Sequence, residues 1–392
     1  MKDSNLSLYG TREVYLDSNA TTQPLPEVVE LVASAMASGC GNPSSVHAAG
    51  ERSRAVLRKA REQVASFVNA VETNVVFTGG ATEANNIVLQ SLASGKLSGY
   101  RLVTSVVEHS SILTTAERLS RLGVEVIILP VDRAGRVDPL AMADEIDPGK
   151  TLVSIQWANN ETGVIQPIEE LASTAKAAGA LFHTDAVQAI GKVMVDLGQV
   201  PVDLLSLSAH KVHGPMGVGA LVGPGLEHIS PMTFGGSQEW AIRPGTENVP
   251  GILGLGHALE IRESRFDRVA DHVRGLRNDF ESQLISSGLV EEVNGGCVDR
   301  LPNTSNIHFA SVDGEALILR LDQVGIRCSQ SSACTNRKPE PSYVLRAMGL
   351  SEEQAFASVR FGFSELNTEE ELSFALESVR EIHASLQRFA LA

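Results

Sequence analysis

Apolar and polar positions along this chain follow two periods that take turns. Between residues 74 and 223, short apolar runs recur: NVVFTG (74–79), RLVTSVV (101–107), VEVIILPV (124–131), TLVSIQWA (151–158), ALFHTDA (180–186), LLSLSA (204–209) and VGALVG (218–223). Unbroken apolar runs of this length read as strands buried on both faces. The segments between them, EANNIVLQSLAS, SSILTTAERLSRLG, DPLAMADEI and IEELASTAKAAG, carry helical spacing. Upstream, residues 25–39 read as a helix closed by Gly39, and residues 45–70 as a long helix with charges along one face. This alternation predicts an α/β fold with a mostly parallel central sheet flanked by helices. Ligands of such sheets bind at the carboxyl ends of the strands.

Past residue 262 the pattern changes. RVADHVRGLRNDFESQLISSG reads as a long polar helix, NTSNIHFA as a strand, DGEALILRLDQVG as a helix, and SVRFGFS as a strand before an acidic helix. A chain of 392 residues exceeds what one hydrophobic core organises. The expected division is a large domain over 15–262 and a smaller α+β domain from 1–14 and 263–392.

Composition narrows the class. The chain is 43% hydrophobic and 20% charged, which excludes collagen-like, disordered and disulfide-scaffold proteins. Its net charge of −15 argues against direct nucleic-acid binding, which needs clustered Lys and Arg. No apolar run approaches the roughly 20 residues of a membrane helix, and the first residues have no signal-type apolar core. A cytoplasmic protein is expected, with Cys40, Cys297, Cys328 and Cys334 as thiols. The C-x5-C spacing of the last two matches no common zinc pattern, so no metal is expected.

Four features fall at strand ends. TGGATEANN (78–86) follows a strand and opens a helix, so it is either a plain turn or a cradle of backbone N–H groups for a phosphate. His109 follows the strand 101–107; it is either a structural histidine or one that stacks on a flat cofactor and exchanges protons. Asp185 ends a buried run and needs a cationic partner, either a protein side chain or a protonated ring nitrogen. Gln188 is close enough to reach the same face. Lys211 follows LLSLSA in SAHKVHGPMGVG, and a desolvated lysine can form an imine with an aldehyde. Together the phosphate cradle, the carboxylate and the lysine suggest pyridoxal phosphate.

A fifth feature lies outside that set. RCSQSSACTNRKPEPSYVLRAMG (327–349) places Cys334 in a polar stretch near Arg337 and Lys338. Positive neighbours favour thiolate, so Cys334 reads as a nucleophile on a loop of about 327–342. Cys328 reads more simply as a small packed side chain.

With these residues in view, the chain resembles the cysteine desulfurases of the class V aminotransferase fold, over about residues 14–380. The matching segments include YLDSNATT, GNPSSVHAAG, FTGGATEANN, EHSSIL, ANNETGVIQPI, HTDAVQ, SAHKVHGPMGVG, RPGTENV, SSACT and VRFGFS. The resemblance implies a fold-type-I pyridoxal-phosphate enzyme. Lys211 would hold the cofactor and move protons at the substrate Cα. Asp185 would pair with the pyridinium nitrogen, His109 stack on the ring, and Gln188 bond the phenolic oxygen. Ala81, Thr82, Ser208 and His210 would contact the phosphate. Thr246 would reach it from the second subunit of a homodimer. Asn160 and Arg360 would hold the carboxylate of L-cysteine. Cys334 would take the sulfur as a persulfide, release L-alanine, and pass sulfur to an acceptor protein. That acceptor would serve iron–sulfur cluster assembly, tRNA thiolation or a dedicated system such as DNA phosphorothioation. The cysteine loop looks like that of the long-loop branch. Ser331 stands where that family often has glycine, Trp240 where it has a basic residue, and Arg337 and Lys338 make the loop more basic. Another class V enzyme, such as an aminotransferase or selenocysteine lyase, would need Lys211 and Asp185 but no persulfide on Cys334. A non-catalytic scaffold would need none of these residues.

Overall fold

The computed structural model describes residues 13–330 and 340–390. The chain enters through a two-residue strand, β1 (Val14–Tyr15). A seven-stranded sheet follows, built from β2 (Val75–Thr78), β3 (Arg101–Ser105), β4 (Val126–Leu129), β5 (Thr151–Ser154), β6 (Leu181–Asp185), β7 (Leu204–Ser208) and β8 (Gly219–Val222). Its order is β2-β8-β7-β6-β5-β3-β4. Only β8 runs against its neighbours. The connection before it, residues 209–218, is too short for the crossover a parallel partner requires. Because β2 and β7 are both antiparallel to β8, they share a direction with the rest, and all six parallel strands end on one edge.

Alternating side chains explain why these strands read as unbroken apolar runs. Val75 and Phe77 of β2 and Ala220 and Val222 of β8 enter one core, which also takes Val103, Val153 and Phe182. Val76 and Leu221, between them, enter the opposite core with Leu102, Leu152 and Leu204. Helices cover both faces. In Ser110–Arg121 the buried Ile112, Ala116 and Leu119 form one stripe.

One helix was not visible in the sequence pattern. Val249–Ser264 is apolar nearly all round, with Val249, Ile252, Leu255 and Leu259 buried. A Cβ on Gly256 would lie 2.9 Å from the Ala60 Cα, and one on Gly254 2.8 Å from Val32. The helix therefore packs tightly against Ala48–Phe67 and Pro26–Ala37. A helix without a polar face gives no 3.6-residue signal.

A separate antiparallel sheet has the order β12-β10-β9 from β9 (Val290–Val293), β10 (Thr304–Phe309), β11 (Ile326–Arg327, paired instead with β1) and β12 (Ser358–Gly362). Its core centres on Phe280, Phe309, Phe361 and Phe363, with the Phe280 and Phe361 ring centroids 4.8 Å apart. A small cluster joins Val344, Leu345 and Met348 to Val107, so the segment after residue 340 packs beside His109. There the Tyr343 hydroxyl donates to the Glu108 carbonyl at 2.5 Å. Among the described residues no helix is long and apolar enough to cross a membrane.

Candidate active site

The strand ends gather the predicted residues around one cavity of about 540 Å³. Ala81 and Thr82 reach it from the turn after β2, His109 from beyond β3, Asn160 from beyond β5, and Asp185 and Gln188 from the end of β6. Ser208, His210 and Lys211 reach it from the end of β7, and Arg360 from β12. A second cavity of about 500 Å³, beside Trp240, contains none of these residues.

The phosphate-cradle reading has a local basis. The helix Ala81–Gln90 starts at Gly80 without a side-chain cap, so its first N–H groups stay open to a ligand. Gly80 has φ +144°, which a side chain rarely adopts. A Cβ on Gly219 of β8 would sit 2.8 Å from the Gly80 Cα, so only glycine lets the two backbones approach.

The Asp185 carboxylate is buried. Asn85 Nδ2 donates to its Oδ2 at 2.8 Å, and the Val187 N–H donates to Oδ1 at 3.0 Å. No ion pair reaches it among the described residues, unlike the buried Arg61–Glu239, Arg262–Glu365 and Arg360–Asp17 pairs. Asn85 Nδ2 also donates to Ser111 Oγ at 2.9 Å, which is 2.8 Å from His109 Nδ1. The Ser111 N–H donates to the same Nδ1 at 3.2 Å. The ring thus accepts on Nδ1 and carries its proton on Nε2. Burial, then the Lys211 charge, holds His109 below the usual histidine range, with Asp185 opposing. Burial likewise takes His210 down to about 4, with Lys211 and Lys192 adding to it.

Lys211 sits on the turn Ala209–Lys211, and its Nζ donates to the Asn19 carbonyl and, at 2.7 Å, to the Ala20 carbonyl. Arg360 is buried and pairs with Asp17 at 2.7 Å, while its Nη1 donates to the Asn160 carbonyl at 3.1 Å. Its Nε and the Asn160 Oδ1 are buried without a hydrogen-bond partner among the described residues. An unsatisfied guanidinium N–H beside a cavity is what a ligand carboxylate would complete.

The residues present fit pyridoxal phosphate: a carboxylate with no ion pair among the described residues, an uncapped helix start, a strand-end lysine and a guanidinium with one open N–H face one space. Three positions stand apart. Thr246 does not line this cavity. Cys334 lies outside the described residues, as do Ser331, Arg337 and Lys338. Trp240 lies in a run of three left-handed residues, with φ values of 44°, 59° and 58° for Glu239, Trp240 and Ala241. Burial, then Asp17, pushes the Cys328 thiol well up, which suits a packed side chain rather than a nucleophile. Asn85, Ser111 and Asp17 were not singled out from the sequence, although Asn85 sits within TGGATEANN and Ser111 within EHSSIL.

The family model described as "Aminotransferase class-V" matches residues 14–374. The chain is 41% identical over 377 residues to "Cysteine desulfurase IscS" of Dictyoglomus turgidum, covering 96% of each. It belongs to the class V aminotransferases, among the cysteine desulfurases. Within that family the solved structure titled "NIFS-LIKE PROTEIN" superposes with a TM-score of 0.88 at 35% identity, covering 96% of this chain and 100% of that one. "SspA in complex with cysteine" superposes with a TM-score of 0.80 at 32% identity, covering 90% and 99%. The fold-type-I architecture, with its mostly parallel sheet, is that of these desulfurases.

Proposed function

We infer that this chain is a pyridoxal-phosphate-dependent cysteine desulfurase. L-cysteine and an enzyme thiol are converted to L-alanine and an enzyme persulfide. The substrate C–S bond breaks, an S–S bond forms on Cys334, and a proton goes to the carbon that becomes the alanine methyl group. The observation that carries this reading is the convergence of Asp185, His109, Lys211 and Arg360 on one cavity. When bound, pyridoxal phosphate supplies an electron sink for the substrate Cα. Lys211 Nζ would hold its aldehyde carbon and later move a proton at Cα. Asp185 would keep its ring nitrogen protonated, as a buried carboxylate with no ion pair among the described residues favours. His109, neutral with its proton on Nε2, would cover the ring and donate from that atom. Gln188 would donate to the phenolic oxygen, and Ala81, Thr82, Ser208 and His210 would hold the phosphate. Arg360 and Asn160 would take the substrate carboxylate, a reading that the open Arg360 Nε–H supports.

The cofactor site would be completed in a homodimer by Thr246 of the second subunit. Sulfur would pass from Cys334 to an acceptor protein in iron–sulfur assembly, tRNA thiolation or a dedicated system such as DNA phosphorothioation. The two sets of buried residues, around the seven-stranded sheet and around Phe280, support a division into domains at 15–262 and at 1–14 with 263–392, except that Leu16 packs with the second set.

The test is turnover of labelled cysteine followed by mass spectrometry of the peptide containing Cys334. That peptide is expected to gain one sulfur. Cys334→Ser should keep the yellow cofactor colour and lose sulfide release; release at the wild-type rate would move the nucleophile elsewhere.

A further inference from the structure

The turn after β6 carries a second lysine that the reaction described above does not use. Lys192 Nζ donates to Gln188 Oε1 at 2.7 Å. Gln188 Nε2 in turn donates to the Asn19 carbonyl at 2.9 Å. The amide is therefore held at both ends. Turning it over would set its oxygen against the Asn19 carbonyl oxygen and, against a Lys192 ammonium, its NH2 against a second donor. An amide NH2 has two donors, and Asn19 takes one. The other is left for a ligand in the 540 Å³ cavity that Gln188 lines.

We propose that Lys192 is a positioning residue of the cofactor site, which fixes Gln188 as a hydrogen-bond donor toward the cavity. This rests on the pyridoxal-phosphate reading above. The atom beside Gln188 must then be an acceptor, which for that cofactor is its phenolic oxygen in the ionised form. Lys192 also shares a small void of about 30 Å³ with Lys211, Ser18 and Arg262. Burial, then Lys211, Arg262 and Arg360, holds Lys192 below the ordinary lysine value. In either protonation state its nitrogen keeps a proton to give to Gln188.

The prediction concerns the pH titration of the bound chromophore. The charged groups around Lys192 are Lys211, Arg262 with its partner Glu365, His213 and Arg360. Those lining the cavity are Glu83, His109, Asp185, His210, Lys211 and Arg360. A donor to an ionised oxygen stabilises it, so weakening that donor raises the midpoint. In cofactor-loaded Lys192→Met the absorbance midpoint should rise by about one pH unit, and cofactor affinity measured by equilibrium loading should fall about tenfold. Lys192→Arg, which keeps a donor N–H, should titrate as wild type does. In a Gln188→Leu background the K192M shift should vanish, because the effect passes through Gln188. An unshifted K192M midpoint, or the same shift with and without Gln188, would overturn the proposal. Should K192M not fold, Lys192→Ala is read in the same way. A wild-type protein that shows no chromophore after loading would instead sink the cofactor reading itself, so the two failures are separable.

Discussion

Glu108 is fully buried, one residue before His109, and its environment decides its proton. Burial pushes its carboxyl up to about 8, against the opposing pull of the Ser105 hydroxyl and the Gln156 N–H. The folded protein therefore keeps a proton over the range from the ordinary 4.5 to about 8 that the unfolded chain has released. Stability from this group falls as pH rises through that window. Glu108→Gln should flatten the loss, measured as denaturant midpoints at a series of values from pH 5 to 8. At this scale the sequence shows which residues carry charge or nucleophilic chemistry at strand ends, and Asp185, Lys211 and His109 were legible for that reason. Their supports were not. Asn85 touches Asp185 only because a helix and a strand distant in sequence converge, and Arg360 meets Asp17 across the full length of the chain.

Among the elements, the inner strands of the large sheet were legible because they are buried on both faces, while β4, with its exposed Ile128, was legible from apolar residues alone, and the strand directions were not legible. β8 is antiparallel, and the only trace of that in the sequence is the shortness of the preceding connection. The helix Val249–Ser264 was hidden for the opposite reason, since apolar residues surround it. Its close approach to Ala48–Phe67 depends on Gly256, where an added Cβ would meet the Ala60 Cα at 2.9 Å. Gly256→Ala should destabilise the protein by about 1–3 kcal/mol, seen as a lower denaturant midpoint, because the helices must separate. A cost near zero would mean that the helix pair can shift without loss.

The whole molecule raises the question of how many copies make one site. Thr246 lies away from the cavity of its own chain, and the proposed dimer assigns it to the neighbour's site. Mixing is decisive here. Subunits carrying Lys211→Ala, mixed with subunits carrying Thr246→Ala, should recover about a quarter of wild-type turnover, since half the dimers then hold one intact site. No recovery would place Thr246 in its own chain's site, and full turnover by unmixed Thr246→Ala subunits would place it in none.

Asp17 gives the site a selectivity of its own. Because it already neutralises the Arg360 guanidinium, a substrate carboxylate meets a balanced ion pair and not a bare cation. Small inorganic anions gain little from such a pair. A zwitterion, which brings an ammonium group along with its carboxylate, enters without leaving a net charge behind. With Arg360 in its proposed role, the pocket would in that sense be tuned to amino acids as a class before any contact with a side chain is made.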